Sequence, residues 1–411
     1  MITPADSILK KALERIETLG AISDEPGRLT RTFLSPANRE AAAILMGWML
    51  EAGMTVCHDR TGTIQGVLSG SENGPPLLLG SHFDTVIDAG KYDGALGLIV
   101  ALAAIERLNA ENLVLPVPIH VLGFSDEEGI RFHTTYLGSQ GVCGEFDMKT
   151  LAATDKSGIS VARCLESEGW AEGASRIHYD PFSTLGYVEV HIEQGRVLES
   201  LDLPASVVTG ICGQTRLAIT LTGRTDHAGT TPMALRRDAL AGAAECMMEL
   251  ERAAVANVSL VVTVGKISIE PGASNSVPGE AKFTIDLRHP EDAERVRFHA
   301  ELRDRCVAIA ERRGLIIDWQ VVQDQDAVLC DEALTARMAG ALLAVTDSSI
   351  RLASGAGHDG VAMSRIAPIA MLFVRSRDGL SHHPDEFSSA EDIAIAIEVL
   401  VRFLKSFAIR S

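Results

Sequence analysis

The chain has 411 residues and a formal net charge of −18, too long for one compact core, so two domains are expected. The acidity, with no basic stripe and interleaved aromatics to offset it, argues against nucleic acid as a partner, and no apolar run is long enough for a membrane span. Met1–Asp6 lacks the basic start and apolar core of a secretory signal, which points to the cytoplasm. The seven scattered cysteines are odd in number and form no C-x-x-C pair, which speaks against a disulfide framework or thiolate metal site.

Residues 5–19 read as an amphipathic helix, and Ser35-Pro36 opens a second one that Gly53 closes. Strands are predicted over 54–57, 63–68 and 77–80. An apolar helix over 94–109 is hydrophobic enough to pack against a sheet, and strands follow over 118–125 and 185–192. This alternation reads as an α/β domain. After about residue 211 the pattern becomes self-contained: strand 214–222, helix 235–254, strands 258–269 and 280–287, helix 293–313 and strand 315–322. That β-α-β-β-α-β order is the split arrangement of ferredoxin-like domains. Past 325 the helix-strand alternation resumes, ending in a strand over 368–374 and a helix from Ala390. The expected organisation is an α/β domain of residues 1–211 and 325–411, interrupted by an inserted ferredoxin-like α+β domain of residues 212–324.

Five segments place a metal-ligating side chain at or shortly after an apolar run: His82 and Asp84 after Leu77-Leu78-Leu79, Asp93 shortly beyond, Glu127-Glu128 after Val121-Leu122-Gly123-Phe124, His191 within Tyr187–Ile192, and His382-His383 beyond Met371–Val374. In an open α/β sheet, residues past the carboxyl ends of strands converge on one crevice. Histidine with carboxylate suits zinc, manganese, cobalt or nickel, whereas an all-oxygen set would suit magnesium or calcium. A two-metal site needs one bridging carboxylate and terminal ligands on each ion, and His82, Asp93, Glu128, His191 and His382 supply that number and type. Asp84 is spaced to hydrogen-bond the remote N–H of His82 and fix its tautomer. Adjacent carboxylates at Glu127-Glu128 repel unless a cation or proton relieves them, and on extended backbone one could ligate while the other faces a reacting water. Each feature alone has a plainer reading: strand-end polar residues, a solvated acidic turn, a satisfied core histidine. Local chemistry does not choose between His382 and His383.

Taken in order, Gly80-Ser81-His82-x-Asp84-Thr85, Gly90-Lys91-Tyr92-Asp93-Gly94, Glu127-Glu128-Gly129-x-Arg131-Phe132, His191-Ile192-Glu193-Gln194-Gly195, His227-Ala228-Gly229-Thr230-Thr231-Pro232-Met233, Asn275-x-Val277-Pro278-Gly279, Ser354-Gly355-Ala356-Gly357-His358-Asp359 and Ser381-His382-x-Pro384-x-Glu386 resemble, over essentially the whole chain, the amidohydrolase branch of the M20 di-metal peptidase family. That branch contains allantoate amidohydrolase, N-carbamoyl-L-amino acid hydrolase and β-ureidopropionase. The resemblance implies a di-metal catalytic domain with a central mixed sheet, and an inserted lid or dimerisation domain that makes a homodimer. It implies two divalent ions per subunit: His82, Asp93 and His191 on one, with Asp93 bridging to a second held by Glu128 and His382. Glu127 becomes the general base and His227 a donor to the developing oxyanion. Gln194, Gln214, Asn275, Arg288, Gly357 and His358 surround the substrate, Arg288 offering a planar fork to its carboxylate. From the residues alone, the favoured reading of Arg288 is an exposed strand-end arginine, and His227 reads equally as a turn residue.

The implied reaction is hydrolysis of a ureido group on a small carboxylate. Allantoate is favoured because residues 22–31 and Asp88-Ala89-Gly90-Lys91 resemble members with that specificity; N-carbamoyl-L-amino acids, or the β-ureidopropionase substrate, present the same two groups. A catalytically inert metal-binding module is the competitor from another class, but such a module would be expected to lose Glu127. A serine or cysteine amidase lacks support, since no Gly-x-Ser-x-Gly elbow is present and neither Cys143 nor Cys212 has an activating neighbour.

Overall fold

The computed structural model describes residues 4–408 other than 145, 168 and 171. The chain divides into two compact units, one of residues 1–209 with 329–411 and one of Gly210–Val328.

In chain order the first unit opens with helices α1 (Pro4–Gly20) and α2 (Pro36–Glu51), strands β1 (Thr55–His58), β2 (Ile64–Leu68) and β3 (Leu77–His82), helix α3 (Ala95–Ala110) and strand β4 (Ile119–Phe124). Three short helices follow, α4 (Leu137–Cys143), α5 (Met148–Ala152) and α6 (Val161–Ser167), then β5 (Gly186–Ile192), α7 (Val197–Ser200) and β6 (Ala205–Ile211). Ser35 caps α2 by accepting from the Asn38 amide, with Pro36 at the first helical position. Gly53, just beyond the cap residue Ala52, takes φ +83, the left-handed turn that ends the helix.

The inserted unit contains β7 (Gly213–Thr222), β8 (Asp226–His227), α8 (Ala239–Val255), β9 (Val261–Thr263), β10 (Ile267–Glu270), β11 (Ser276–Val277), β12 (Glu280–His289), α9 (Asp292–Arg312) and β13 (Ile316–Gln325). Its main sheet runs β10-β12-β7-β13, antiparallel throughout, with β9 also on β12. Alternate residues of β12 are buried, as a sheet with one covered face requires, and Phe283, Ile285 and Leu287 join Cys246 and Leu250 of α8 and Phe298, Leu302 and Cys306 of α9 in one core. The single strand expected over 258–269 is two: β9 pairs with Asp286–Arg288 and β10 with Glu280–Phe283, the break falling at Val264-Gly265-Lys266. The helix expected from 235 begins at Ala239, behind the Asp238 cap, because Met233–Leu235 forms a separate 3-10 turn.

The chain then completes the first unit with β14 (Val328–Leu329), α10 (Glu332–Thr346), β15 (Arg351–Ser354), α11 (Gly360–Met363), β16 (Ile369–Val374) and α12 (Ala390–Lys405). The central sheet is mixed, in the order β1-β2-β4-β3-β5-β16-β6-β14, with β15 on β6. Its middle, β4-β3-β5-β16, is parallel. Every residue of β3, β5 and β16 is buried, which explains the continuous apolar runs of Leu77–Leu79 and Ile369–Val374, since helices cover parallel strands on both faces; in β5 the buried Glu189 and His191 interrupt the run. Helix α3 is buried almost all round among β3, β5, α1 and α12. The register sets His82 against Phe124 and His191 against Phe373, so the carboxyl ends of the four parallel strands lie at one edge of the sheet. Among the described residues no helix is long and apolar enough to cross a membrane.

Residues 22–31 and 88–91 brace the loop after β3. Ala89 donates its amide to the Leu29 carbonyl, Thr85 to that of Arg31, and Asp88 to the Thr30 hydroxyl. The fully buried Arg31 guanidinium donates to the carbonyls of Phe83 (2.5 Å), Leu19 (2.7 Å) and Ile22 (3.1 Å). The two segments that resembled allantoate-specific relatives therefore meet as scaffold.

Candidate metal centre

Three histidines converge on Asp93, in the loop between β3 and α3. Its Oδ1 lies 3.3 Å from His82 Nε2 and 3.2 Å from His191 Nε2. Its Oδ2 lies 3.5 Å from His382 Nε2, which is also 3.3 Å from Glu128 Oε1. His82 ends β3 and His191 is the penultimate residue of β5, both almost fully buried.

The second ring nitrogens fix what the first can do. His82 Nδ1 is 3.2 Å from the Asp84 carbonyl and 3.3 Å from its carboxylate, and His191 Nδ1 is 3.0 Å from the Ile192 carbonyl. An N–H donated there leaves a lone pair on each Nε2, both aimed at one carboxylate oxygen. That arrangement is repulsive unless protons or a cation stand between. Burial opposes a charge on His82, yet hydrogen bonds to Asp84 and Asp93 outweigh it and raise the imidazole well above its ordinary range. Burial likewise works to raise Asp93, and its bonds to His191 and His82 outweigh it, holding the carboxyl well below its usual range. Glu128 pushes His382 up to about 9.

The nitrogen-oxygen separations also fit. Donors about 2.0–2.1 Å from a tetrahedral ion stand about 3.3 Å apart, close to the 3.2–3.5 Å seen around Asp93. His82, His191 and Asp93 could thus hold one divalent ion, and Asp93, Glu128 and His382 a second. Gly94 makes room for the first group: its φ is +64, and a Cβ there would lie 2.4 Å from His82 Cε1.

The turn after β4 carries the paired glutamates. Asp84 Oδ1 accepts the Glu127 amide at 2.9 Å and Oδ2 the Glu128 amide at 3.2 Å, so Asp84 pins this turn as well as facing His82. Glu127 is 7% exposed. Burial pushes its carboxyl well above the usual range, with His82 opposing and Glu128 and Asp359 adding. Of the adjoining histidines, His382 faces the cluster in a left-handed conformation, φ +56, while His383 Nδ1 accepts the Asp385 amide. A histidine in that region is strained, a state that surrounding structure usually imposes at functional sites.

Residues 78–406 match the model of peptidase family M20/M25/M40. The chain is 41% identical to an allantoate deiminase of Arabidopsis thaliana, over 96% of this chain and 82% of that one. It is 36% identical to an N-carbamoyl-L-amino acid amidohydrolase of Geobacillus stearothermophilus, over 94% and 95%. The chain belongs to the M20/M25/M40 family. A solved hydantoinase/carbamoylase family amidase from Burkholderia ambifaria superimposes with a TM-score of 0.90 at 30% identity, covering 98% of each chain. Enzymes of the M20 family are metal-dependent, in keeping with a cluster of this donor chemistry.

The family's Ser-His-x-Pro-x-Glu frame holds more than a histidine. Ser381 Oγ donates to Asp93 Oδ2 at 2.6 Å, and Glu386 Oε1 accepts the amides of Tyr92 (2.8 Å) and Asp93 (3.0 Å). Burial and the charge of Asp93 push Glu386 up to about 7. Sequence reasoning assigned no role to Ser381 or Glu386, although the motif itself was the signal. Gln194, expected beside the substrate, donates to Asp93 Oδ2 at 2.8 Å and to Ser381 at 3.2 Å. His358 is buried with its ring 4.5 Å from that of His191 and its Nε2 2.7 Å from Ser354 Oγ; burial holds it well below its usual range, hence neutral. Gly357 precedes it, closely approached by the Tyr136 hydroxyl.

The remaining expected substrate residues lie on the inserted unit. His227, on β8, pairs in register with Ser276, next to the exposed Asn275, whose carbonyl accepts the Ala228 amide. His227 Nδ1 accepts the amides of Gly229 (3.1 Å) and Thr230 (3.2 Å), which leaves its proton on an exposed Nε2. The Arg288 fork is engaged by Asp286, at 2.8 Å through Nε and 3.0 Å through Nη2, and Gln214 donates to the same carboxylate at 2.6 Å.

Proposed function

We propose that the protein hydrolyses the ureido C–N bond of a small carboxylate, with allantoate as substrate and ureidoglycine, ammonia and carbon dioxide as products. The observation that carries this reading is Asp93 standing between His82 and His191 on one oxygen and His382 on the other, with the buried Glu127 pinned beside them. The choice of allantoate rests on the 41% identity to a relative named allantoate deiminase, against 36% to one named N-carbamoyl-L-amino acid amidohydrolase. N-carbamoyl-L-amino acids, or a β-ureido acid, are the second reading.

We assign His82, His191 and Asp93 to one divalent ion and Asp93, Glu128 and His382 to another, zinc, manganese, cobalt or nickel. Bound there, two such ions lower the pKa of water and polarise the carbonyl. Glu127 takes the proton of the attacking water; its raised affinity for protons suits that task. It returns the proton to the departing ammonia, and the carbamate left behind loses carbon dioxide. Asp84 holds Glu127 through its amide, while Gln194, Ser381 and Glu386 keep Asp93 oriented.

His227, through its protonated Nε2, is assigned to the carbonyl oxygen. Arg288, with Gln214 and Asn275, is assigned to the substrate carboxylate, and Gly357 and His358 to the ureido group. We further propose that the inserted unit serves as the dimerisation and lid domain, pairing two copies of the chain.

The test is a panel of allantoate, ureidoglycolate, N-carbamoyl-L-amino acids and N-carbamoyl-β-alanine, followed by ammonia release and product analysis. The reading requires kcat/KM highest for allantoate, with one ammonia and one carbon dioxide per turnover. A higher value for a carbamoyl amino acid transfers the assignment to that substrate, and inactivity on all of them rejects the ureido class.

A further inference from the structure

We propose that a second cleft in the first unit, sharing no residue with the metal-ligand cluster, binds a small organic oxyanion through Arg60 and Arg176. The cleft has a volume of about 470 Å³ and is lined by Asp59, Arg60, Thr61, Gly141, Phe146 and residues 174–177. That volume is within the range that encloses metabolite-sized ligands, about 300–1,000 Å³.

Its chemistry selects the ligand. Arg60 and Arg176 both line the space and are exposed, and among the described residues neither guanidinium has an ion-pair or hydrogen-bond partner. On a chain of net charge −18, two uncompensated arginines in one cleft make a local positive field, and a planar fork suits carboxylate, phosphate or sulfate oxygens. The neighbouring carboxylate does not neutralise them. Asp59 Oδ1 is turned into its own loop, accepting from the Thr61 amide (2.9 Å), the Thr61 hydroxyl (2.6 Å) and the Thr63 amide (3.1 Å). Burial also pushes Asp59 up to about 6, which lessens its repulsion of an anion. Ser175 is held by its amide to the His58 carbonyl at 2.8 Å, and Phe146 and Ile177 add apolar wall for an organic body.

The cleft is mechanically close to the proposed base. The Thr61 carbonyl accepts the Ser125 hydroxyl at 2.6 Å, and Ser125 lies two residues before Glu127. Gly141 belongs to α4, whose second residue donates its amide to the Asp126 carbonyl.

The test is calorimetric titration of the metal-loaded protein with sulfate and, separately, succinate at constant ionic strength. The wild type should bind one anion per chain saturably at this site. Arg60→Gln with Arg176→Gln should weaken that binding at least about tenfold, the worth of a lost charge-assisted contact, while metal content and ammonia release stay at wild-type levels. The lysine pair, which keeps the charge and loses the fork, should fall between. Tighter sulfate binding identifies a phosphate- or sulfate-like group, and tighter succinate binding a carboxylate. An anion held at the metal centre would compete with substrate and persist in the glutamine pair. If all saturable binding persists there, or if the wild type binds neither anion, the proposal is overturned.

Discussion

Replacing Gly94 with alanine should break the His82 side of the metal cluster. The added Cβ would lie 2.4 Å from His82 Cε1 and 2.5 Å from Cγ and Cδ2, where carbon atoms normally approach no closer than about 3.5 Å. Relieving an overlap of about 1 Å must move the ring or the start of α3, yet a ligand atom tolerates displacement of only about 0.2 Å. The backbone adds its own cost, about 1–3 kcal/mol for a side chain at φ +64, ψ −55. Metal affinity on the His82 side should therefore fall by at least the roughly 10–100-fold seen when a group that merely orients a ligand is lost. Plasma mass spectrometry of dialysed protein should count one ion per chain where the wild type holds two. Gly27→Ala is the control for backbone strain alone, because Gly27 has φ +82 and nothing within 4 Å of its added Cβ. Two tightly held ions in Gly94→Ala, or an equal loss in Gly27→Ala, would refute the reasoning.

Glu127→Gln should keep both ions and lower kcat by about 10²–10⁴, the usual contribution of a general base; loss of metal in this variant, with normal binding in Glu128→Gln, would exchange the two roles. Arg31→Met leaves three buried carbonyls without their donor and should destabilise the first unit by on the order of 3 kcal/mol, read as a lower urea midpoint. If a twofold pair shares its sites, a mixture of Glu127→Gln and His227→Ala chains that exchange freely should recover about one quarter of all sites. Continued inactivity, once exchange is shown by mass, would place His227 in the service of its own chain.

Burial makes the parallel strands readable as apolar runs at Leu77–Leu79, Val121–Phe124 and Ile369–Val374, and ligands are expected at or just past such runs. His82 and Glu128 stand out for that reason, and His191 stands out as a polar residue inside the buried β5. Ser381, Glu386 and Gln194 were harder to read because their common partner, Asp93, lies 288, 293 and 101 residues away, and periodicity carries only local information. The short helices α4, α5 and α6 have five to seven residues, too few turns to establish a period. The doubled histidine shows the same limit: backbone conformation at His382, rather than residue type, turns one ring toward Asp93 and leaves the other at Asp385. Residues 22–31 show what resemblance leaves open, since the segment's physical task of holding the loop after β3 is visible only in the structure.

Two ions sharing Asp93 would make the enzyme inactive until both are bound. Chelated protein reloaded stepwise with manganese or zinc, with bound ions per chain counted against ammonia released from allantoate, measures this in one titration. Activity should rise to a plateau at two ions per chain, and Asp93→Asn should hold neither ion tightly nor release ammonia. Full activity at one ion per chain, or in the chelated protein, would contradict the account.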